Sequence, residues 1–311
     1  MGWLKSDPYV VNKLHCTTIY LSGGRMKFFT ATQVIVFCLF SLNVFAQSPQ
    51  SVGQDHPDRT QPVEPFKIID NIYFIGTTIQ AASYLITGSQ GHILFDTTFE
   101  DRVPMMLENI EKLGFNPRDV KMLIGTHAHS DHVGGHSLMQ EMTGADILSS
   151  EEDKGVVENG GDGSWAPAEV NRVIDGGDVV SLGEIEIKVH DTPGHTPGTL
   201  TFTMVAEEEG QKYNVILLGG LRIATRPLLG NKDYPNIADD MAETFYYLQN
   251  LPVDVYLGAH GYWYDLRNKI PRIPQEGYRA FINPEEYRRA VDGWQQVFVN
   301  MLAEEGKALV K

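Results

Sequence analysis

The chain concentrates metal-binding residue types in one short stretch, residues 126–136. The stretch reads THAHSDHVGGH, and it contains three imidazoles and one carboxylate within six positions, at His127, His129, Asp131 and His132. Neutral imidazole and carboxylate together suit zinc or a similar borderline divalent ion. Histidines that merely cluster at the surface are the weaker interpretation, because histidine usually titrates or packs singly. The stretch therefore predicts a metal site.

The neighbouring elements explain how this stretch is positioned. Residues 121–124 form an apolar run that predicts a buried strand, and the metal-binding stretch begins directly after it. Two other predicted strands, at residues 185–189 and 255–257, lead into glycine-containing loops that carry His195 and His260. Side chains at the ends of several strands converge on one edge of a sheet. We therefore expect His195 and His260 to be the remaining ligands, although a histidine at a strand end can also be a hydrogen-bonded core residue.

Beyond the N-terminal 46 residues, four other histidines do not fit this description. His56 and His92 lie in a predicted linker and a predicted turn, and His190 lies within a strand. His136 belongs to the helix after the metal-binding stretch, and we assign it to the surroundings of the metal or to the helix surface. None of the four is predicted as a ligand.

The apolar pattern predicts strands and helices from residue 66 to residue 302. Predicted strands lie at residues 66–77 (a hairpin turning at Asp70-Asn71), 82–87, 92–95, 121–124, 145–148, 178–180, 185–189, 200–205, 215–218 and 255–257. Predicted helices lie at residues 103–113, 132–142 and 237–248, and from a cap at Asn283 to residue 302. The glycine-rich residues 158–165 are predicted as a mobile loop. Two similar halves of strands and helices predict a four-layer α/β sandwich.

The N-terminal 46 residues have the layout of a secretory signal. A basic flank at residues 25–27 precedes an apolar segment at residues 34–45, and the small residue Ala46 follows. The apolar segment of about 12 residues falls short of the ~20 that a spanning helix needs, so a membrane anchor is the weaker interpretation. Met26 is a second candidate for the start of the chain.

The remaining sequence predicts one domain. We expect residues 1–46 to be an upstream extension and signal peptide, residues 47–64 a linker, and residues 65–311 a single domain. Both cysteines, Cys16 and Cys38, lie in the part that would be removed. The mature chain would therefore have neither a disulfide nor a thiolate ligand.

Three segments resemble the metallo-β-lactamase superfamily: THAHSDHVGG in the metal-binding stretch, DTPGHTPG around His195 and LGAHGYW around His260. The resemblance covers residues 66–302 and implies the αββα form of the four-layer sandwich. Residues 234–261, which begin YPNIADD and end LPVDVYLGAHG, look most like subclass B3. The resemblance implies two zinc ions per chain. It assigns the first zinc to His127, His129 and His195, and the second to Asp131, His132 and His260.

Two absences and one substitution distinguish this chain from its relatives. Members that cleave thioesters, lactones or phosphodiesters usually bridge their metals with an aspartate after the strand that matches residues 215–218, and the other dinuclear lactamase group has a cysteine there. This chain has Gly219 and Gly220. Subclass B3 commonly has serines near Gly220 and Arg222 that help hold the substrate carboxylate. We predict that Arg222 binds this carboxylate by a charge-assisted contact; the alternative is an arginine that points to solvent or pairs with a surface acid.

The resemblance implies a metallo-β-lactamase of subclass B3 that confers antibiotic resistance. Penicillins, cephalosporins and carbapenems would be hydrolysed at the β-lactam amide by a metal-bridged hydroxide, which Asp131 would orient as well as being a ligand. The alternatives are a lactonase or thioesterase of the same fold, and a binding protein without turnover, which should have lost ligands. The formal net charge of −15 argues against a nucleic-acid partner. We expect a small-molecule substrate, a monomer without a stable membrane anchor, and a periplasmic or secreted location.

Overall fold

The computed structural model describes residues 55–223 and 227–309 of the 311. The predicted signal peptide and the predicted linker up to residue 54 lie outside the described residues. Within the described residues, no helix combines the length and the apolar character needed to cross a bilayer.

The first of two β-sheets contains seven strands of the described chain. In spatial order they are β1 (Phe66–Ile69), β2 (Ile72–Phe74), β3 (Tyr84–Gly88), β4 (Gly91–Phe95), β5 (Val120–Ile124), β6 (Asp146–Ser149) and β7 (Arg172–Val173). Strands β1 to β4 pair antiparallel, and β4 to β7 pair parallel. The predicted hairpin turns at Asp70, whose φ of 50° is a left-handed conformation that aspartate tolerates.

The second sheet contains five strands. They are β8 (Val179–Leu182), β9 (Ile185–Asp191), β10 (Leu200–Glu208), β11 (Gln211–Leu218) and β12 (Val255–Gly258), in the spatial order β12, β11, β10, β9, β8. Only β11 and β12 pair parallel within this sheet. In β9, Ile185, Ile187 and Val189 are buried while Glu186 and Lys188 are exposed. This alternation directs one face of the sheet into the core.

The helices of the described chain complete the outer layers. They are α1 (Pro57–Thr60), α2 (Val103–Lys112), α3 (Ser130–Val133), α4 (His136–Thr143), α5 (Glu151–Glu158), α6 (Gly160–Gly163), α7 (Ile237–Gln249), α8 (Leu266–Lys269), α9 (Ile273–Glu276) and α10 (Pro284–Leu309). Helices α2 and α4 cover the first sheet, where Met106 and Met139 join one apolar cluster with Leu94 of β4. Helices α7 and α10 contact each other through the rings of Phe245 and Phe298, whose centroids lie 5.6 Å apart.

The main core lies between the two sheets. Phe95 of the first sheet meets Phe202 of the second with ring centroids 4.8 Å apart, and both side chains are fully buried. Aromatic pairs of this kind contribute both buried area and a preferred ring geometry. With helices outside both sheets, this arrangement confirms the predicted αββα sandwich.

The prediction that residues 158–165 form an unpacked, mobile loop is wrong. These residues end α5, form the short helix α6 and fold back onto Trp165. Gly161 has a φ of 55°, and a Cβ at this position would lie 2.1 Å from the Trp165 ring. Glycine here therefore permits close packing against an indole.

Two other element predictions also need correction. The predicted helix at residues 132–142 is divided at Gly134 and Gly135: α3 ends at Val133, and Gly135, with φ −92° and ψ 3°, caps the start of α4. A Cβ at Gly135 would lie 2.7 Å from the backbone oxygen of Thr97, so glycine permits this close approach. In the described part of the predicted linker, the chain forms α1, and the N–H of Val63 donates to the carbonyl of Thr77 at 3.1 Å. Asp58 is buried and Arg59 and Val63 are half-buried, while the other residues between 55 and 64 are exposed, so this segment contacts the domain at a few points. Strand β7 and the short helices between residues 261 and 281 were not predicted.

The site lies at one edge of the sandwich, where β5, β9 and β12 end. The N–H of Leu200, the first residue of β10, donates to the carbonyl of Thr126 at 2.9 Å. This hydrogen bond joins the loop after β5 to the second sheet. The edge is therefore held by both sheets, which positions loops from each half against one another.

Candidate metal centre

The first group of candidate ligands is His127, His129 and His195. The first two follow β5 and the third follows β9, and one ligand atom from each lies within 4.8 Å of the others. The Nε2 atoms of His127 and His195 are 3.1 Å apart. Two sequence-distant loops thus bring three imidazoles to one point.

The second group is Asp131, His132 and His260. Its ligand atoms also lie within 4.8 Å of one another. The Nε2 atoms of His132 and His260 are each 3.7 Å from a carboxylate oxygen of Asp131, Oδ1 and Oδ2 respectively. The structure therefore brings together all six residues that the sequence singled out, in the predicted grouping.

Hydrogen bonds on the far side of three rings hold them in one orientation. His195 Nδ1 lies 2.6 Å from the carbonyl oxygen of Arg222, and His260 Nδ1 lies 2.9 Å from that of Gln80. His132 Nδ1 lies 2.8 Å from Oδ2 of Asp96. Because these oxygens only accept, each Nδ1 carries the proton and each Nε2 presents its lone pair to the centre.

Asp96 is a residue of the site that the sequence reasoning missed. Its buried carboxylate accepts hydrogen bonds from the N–H of Thr126 at 2.7 Å, from its hydroxyl at 3.0 Å, and from His132. Its φ is 55°, a left-handed conformation that the surrounding bonds must maintain. The available signal was a polar residue directly after the apolar strand β4, which is the rule that identified His195 and His260.

Asp153 was also missed. Its carboxylate accepts from the N–H of Ala128, between two of the candidate ligands, at 2.7 Å. A Cβ at Gly198 would lie 2.4 Å from the same carboxylate, so Asp153 also packs against the loop that carries His195. Burial, as the main cause, raises the pKa of Asp153 to about 6. The residue lies on α5, too far along the sequence for any local motif to include it.

The electrostatics of the site favour neutral imidazoles. Burial is the main cause that lowers the pKa of His195 and of His260 to about 3, and neighbouring histidines add to it. Burial likewise lowers the pKa of His127 and of His129. Four donors are therefore neutral at physiological pH, as metal coordination requires.

Opposite charges close by shift the pKa values of Asp131 and His132. Burial alone would raise the pKa of Asp131, but His132 and His260 outweigh it and bring the pKa to about 2. Burial alone would lower the pKa of His132, and the carboxylates of Asp131 and Asp96 raise it instead. Asp131 is thus a carboxylate at neutral pH.

The residues fit a divalent cation. The Nε2 atom of His132 is buried without a hydrogen-bond partner among the described residues, and a buried orphan of this kind is costly. The Nε2 atoms of His127 and His195 face each other at 3.1 Å, close enough for one cation to contact both. Together with the fold, these donor sets imply a divalent metal.

Gly219 and Gly220, which replace the bridging residue of relatives, lie in contact with the site. A Cβ at Gly219 would lie 2.0 Å from the carbonyl oxygen of Leu200, and a Cβ at Gly220 would lie 2.8 Å from the ring of His195. A carboxylate side chain at either position would displace the backbone or the imidazole. The absence of a bridging acid is therefore built into the packing.

Arg222 lies beside the first group. Its backbone oxygen accepts from His195, and its side chain is exposed. Burial is the main cause that lowers the pKa of His129, and the positive charge of Arg222 is among the smaller ones. The guanidinium is therefore close enough to act on the centre while still reaching solvent.

The histidines not predicted as ligands lie outside both groups. His136 is buried rather than on the helix surface, with Nδ1 2.7 Å from the hydroxyl of Thr97. His92 packs its ring against Phe115, and Nδ1 of His56 accepts from the N–H of Asp58 at 3.2 Å. His190 remains within β9.

Comparisons with known proteins agree with this geometry. The sequence model of the metallo-beta-lactamase superfamily matches residues 76–208. The structure of the native FEZ-1 metallo-beta-lactamase from Legionella gormanii is 32% identical, covers 79% of this chain and 97% of its own, and has a TM-score of 0.76. BJP-1, a subclass B3 metallo-beta-lactamase of Bradyrhizobium japonicum, is 33% identical, with coverages of 81% and 98% and a TM-score of 0.76.

The curated sequences that match this chain carry the name of a different enzyme. A hydroxyacylglutathione hydrolase from Chelativorans sp. (strain BNC1) is 32% identical over 97 residues, which are 31% of this chain. The match spans only 33% of that relative's length, and a similar protein from Maricaulis maris is matched over 34%. These local matches are compatible with the same superfamily. From the two donor sets, the αββα sandwich and the near-complete coverage of solved structures, we conclude that the chain belongs to the metallo-β-lactamase superfamily.

Proposed function

We propose that the chain is a zinc-dependent β-lactamase of subclass B3 that hydrolyses the amide bond of the β-lactam ring and confers antibiotic resistance. The observation that carries the proposal is the combination of the two donor sets with Gly219 and Gly220. An all-imidazole first set and an Asp-His-His second set, with no room for a bridging acid, match the expectation for this subclass.

Six side chains would hold the metal. His127, His129 and His195 would bind one zinc ion, and Asp131, His132 and His260 would bind the second. Zinc ions bound there would polarise a carbonyl and make a water acidic enough to act near neutral pH. Hydrolysis adds water across the C–N bond, so no serine or cysteine nucleophile is required.

The protein's own residues would then orient the reaction. Asp131 is a carboxylate at neutral pH and half-buried, so it can accept a hydrogen bond from the attacking water and hold it in one direction. Asp96 and the carbonyl of Gln80 keep the rings of His132 and His260 from turning. Arg222, exposed beside the first group, would bind the carboxylate common to β-lactam nuclei.

A thioesterase is the second candidate. The local similarity to hydroxyacylglutathione hydrolases over 97 residues supports it. The match covers a third of those relatives' length, whereas FEZ-1 and BJP-1 are covered almost completely. The whole-domain likeness therefore favours the β-lactamase.

The test is a substrate panel with the zinc-loaded protein, with and without a chelator. We expect chelator-sensitive hydrolysis of a chromogenic cephalosporin and of a penicillin, with little cleavage of S-lactoylglutathione or an acyl-homoserine lactone. Metal analysis of the same sample should give two zinc ions per chain. A zinc-loaded protein that leaves the cephalosporin intact would contradict the proposal, and rapid cleavage of the thioester alone would favour the second candidate.

A further inference from the structure

A small pocket lies directly beside Asp131, on the side of the second donor set. Its volume is about 50 Å³, which accommodates one functional group rather than a whole substrate. Its walls combine two arginines, one carboxylate, an amide, an aromatic ring and two small side chains: Arg59, Arg102, Asp131, Gln80, Phe99, Thr78 and Ala81. Of the site residues predicted from the sequence, Asp131 is the one that lines it, and Arg222 does not.

Arg59 reaches the pocket because α1 is fixed to the domain. The buried carboxylate of Asp58 accepts from the guanidinium of Arg267, and the carbonyl of Asp58 accepts from the N–H of Gln80 at 2.8 Å. Arg59 itself is half-buried. The segment that carries it is thus packed against the wall of the metal centre.

The charge of Arg59 acts on the site. Burial chiefly lowers the pKa of His260, and the positive charge of Arg59 is one of the further causes. Burial raises the pKa of Tyr262, and the charges of Arg222 and Arg59 oppose it. The centre therefore has a cation on each side, Arg222 by the first group and Arg59 by the second.

Arg102 adds a second cation to the same pocket. It is half-buried, and its Nε lies 3.5 Å from the carboxylate of Asp101, which is 73% exposed. An ion pair with so exposed an acid is weak, so it leaves the guanidinium able to bind another anion. Two arginines in one pocket are notable in a chain whose formal net charge is −15.

Gln80 links the pocket to the metal centre. Its backbone carbonyl accepts from His260, and its side chain is 7% exposed with Oε1 lacking a hydrogen-bond partner among the described residues. Because Oε1 is an acceptor, this orphan favours a hydrogen-bond donor on the ligand, and the donors to an anion are the two guanidinium groups. Phe99, 41% exposed, offers an apolar surface beside it. The donors suit a carboxylate, and the ring suits the hydrocarbon that carries it.

We propose that this pocket binds an acidic substituent of the substrate, so that the enzyme favours β-lactams that carry a second carboxylate outside the nucleus. The inference rests on the proposed β-lactamase function and adds substrate selectivity to it. Arg222 would take the carboxylate of the nucleus, and Arg59 and Arg102 would take the additional one. The role is binding, since neither arginine needs to contact the reacting atoms.

The test compares benzylpenicillin with α-carboxybenzylpenicillin, which differ by one carboxylate on the side chain. In Arg102→Gln and in Arg59→Gln, we expect the KM for the carboxylated penicillin to rise roughly 5- to 10-fold with kcat nearly unchanged, since a contact made equally in ground and transition states affects KM. The KM for benzylpenicillin should not change. Arg118→Gln is the matched control, because Arg118 is exposed at the opposite end of β5.

Each other outcome contradicts a stated part of the inference. An equal rise in KM for both penicillins would mean that the arginines hold the carboxylate of the nucleus, and no rise for either would mean that the pocket binds no anion. Zinc content and melting temperature should match the parent in every variant. Arg102→Lys, which keeps the charge, should recover part of the selectivity if Arg102→Gln is poorly folded. If the unmodified, zinc-loaded protein hydrolyses neither penicillin, the proposed function itself fails.

Discussion

Buried histidines occur both on the outer face of the second sheet, at His190, and in the metal centre at the edge of the sandwich, and the two regions differ in how the ring nitrogens are used. On the outer face, His190 has Nδ1 2.6 Å from the hydroxyl of Tyr247 and Nε2 2.7 Å from the hydroxyl of Thr203. Both of its nitrogens have hydrogen-bond partners. In the metal centre, His132 and His260 each have Nδ1 anchored while Nε2 faces other ligands.

The comparison shows which property marks a metal site. Burial is the main cause that lowers the pKa of His190 to about 4, and it also lowers the pKa of His195 to about 3. A lowered pKa is therefore common to a structural histidine and a candidate ligand. What distinguishes the two is that the Nε2 atoms of the candidate ligands converge on one another and on the Asp131 carboxylate.

The largest effect is expected when a candidate ligand is removed, and His190 provides the contrast. His195→Ala should lose one metal ion and lower kcat/KM by at least about 10³-fold, because a Lewis-acid contribution of several kcal/mol is lost. His190→Ala should keep both the metal content and the activity of the parent. The measurements are metal analysis and hydrolysis of a chromogenic cephalosporin. Retention of two zinc ions by His195→Ala would refute the assignment of this ligand.

A smaller effect on the metal centre is expected when a ligand is kept but the hydrogen bond that orients it is weakened. In Asp96→Asn, an amide replaces the carboxylate that accepts from His132 and Thr126, so one of those donors loses its partner. We expect zinc affinity to fall by about 10- to 100-fold, as is typical when a ligand's hydrogen-bond partner is lost. Chelator competition measures this change, with the exposed Asp119→Asn as control. An unchanged zinc affinity would show that the hydrogen bond from His132 Nδ1 to Asp96 does not orient His132 for metal binding.

The smallest expected effect is a change in stability when His190 on the outer face of the second sheet is replaced. His190→Gln keeps a polar side chain but cannot titrate, and we expect it to be less stable by about 1 kcal/mol near neutral pH. Native His190 has a pKa of about 4 against an ordinary value of 6.5, so the unfolded state binds its proton first as the pH falls. The free energy of unfolding of the parent therefore falls as the pH is lowered from about 6.5 to about 4. The variant has no titrating group at this position, so it does not show this decrease.

Urea unfolding of both chains at about pH 7.5 and about pH 5 measures the difference. The stability gap between parent and variant should narrow at the lower pH. A gap that stays constant would mean that His190 does not contribute neutral hydrogen bonds to folding. Zinc content should be equal in the two chains, since His190 lies outside both donor sets.

Much of the site could be predicted from the sequence because its chemistry is concentrated in short segments. Four of the six candidate ligands lie between His127 and His132, and the other two follow strands with glycine-broken loops. Asp96 followed a strand in the same way but was overlooked, because a single aspartate in a loop carries little signal. The metal identity, the number of ions and the predicted signal peptide stay predictions.

Other features depended on contacts between distant parts of the chain. Asp153 reaches Ala128 from α5, and Arg59 reaches the second donor set from a segment predicted as linker. The glycine-rich residues 158–165 were predicted to lack packing, yet they pack against Trp165. The composition of a segment indicates only its local preferences. It could not predict these contacts, because they depend on how the folded chain packs.

The sequence by itself determined the residue types of the two donor sets, the strands that deliver them and the lack of a bridging acid after β11. It did so because a strand's period and a loop's ligand spacing are local properties of the chain. The packing of the folded chain, by contrast, anchors Nδ1 of His132, His195 and His260. It also leaves no room for a carboxylate at Gly219 or Gly220, and it brings Arg59 and Arg102 into one pocket beside Asp131. Those outcomes depend on packing between the two sheets and their loops, where atoms far apart in sequence come within hydrogen-bonding distance.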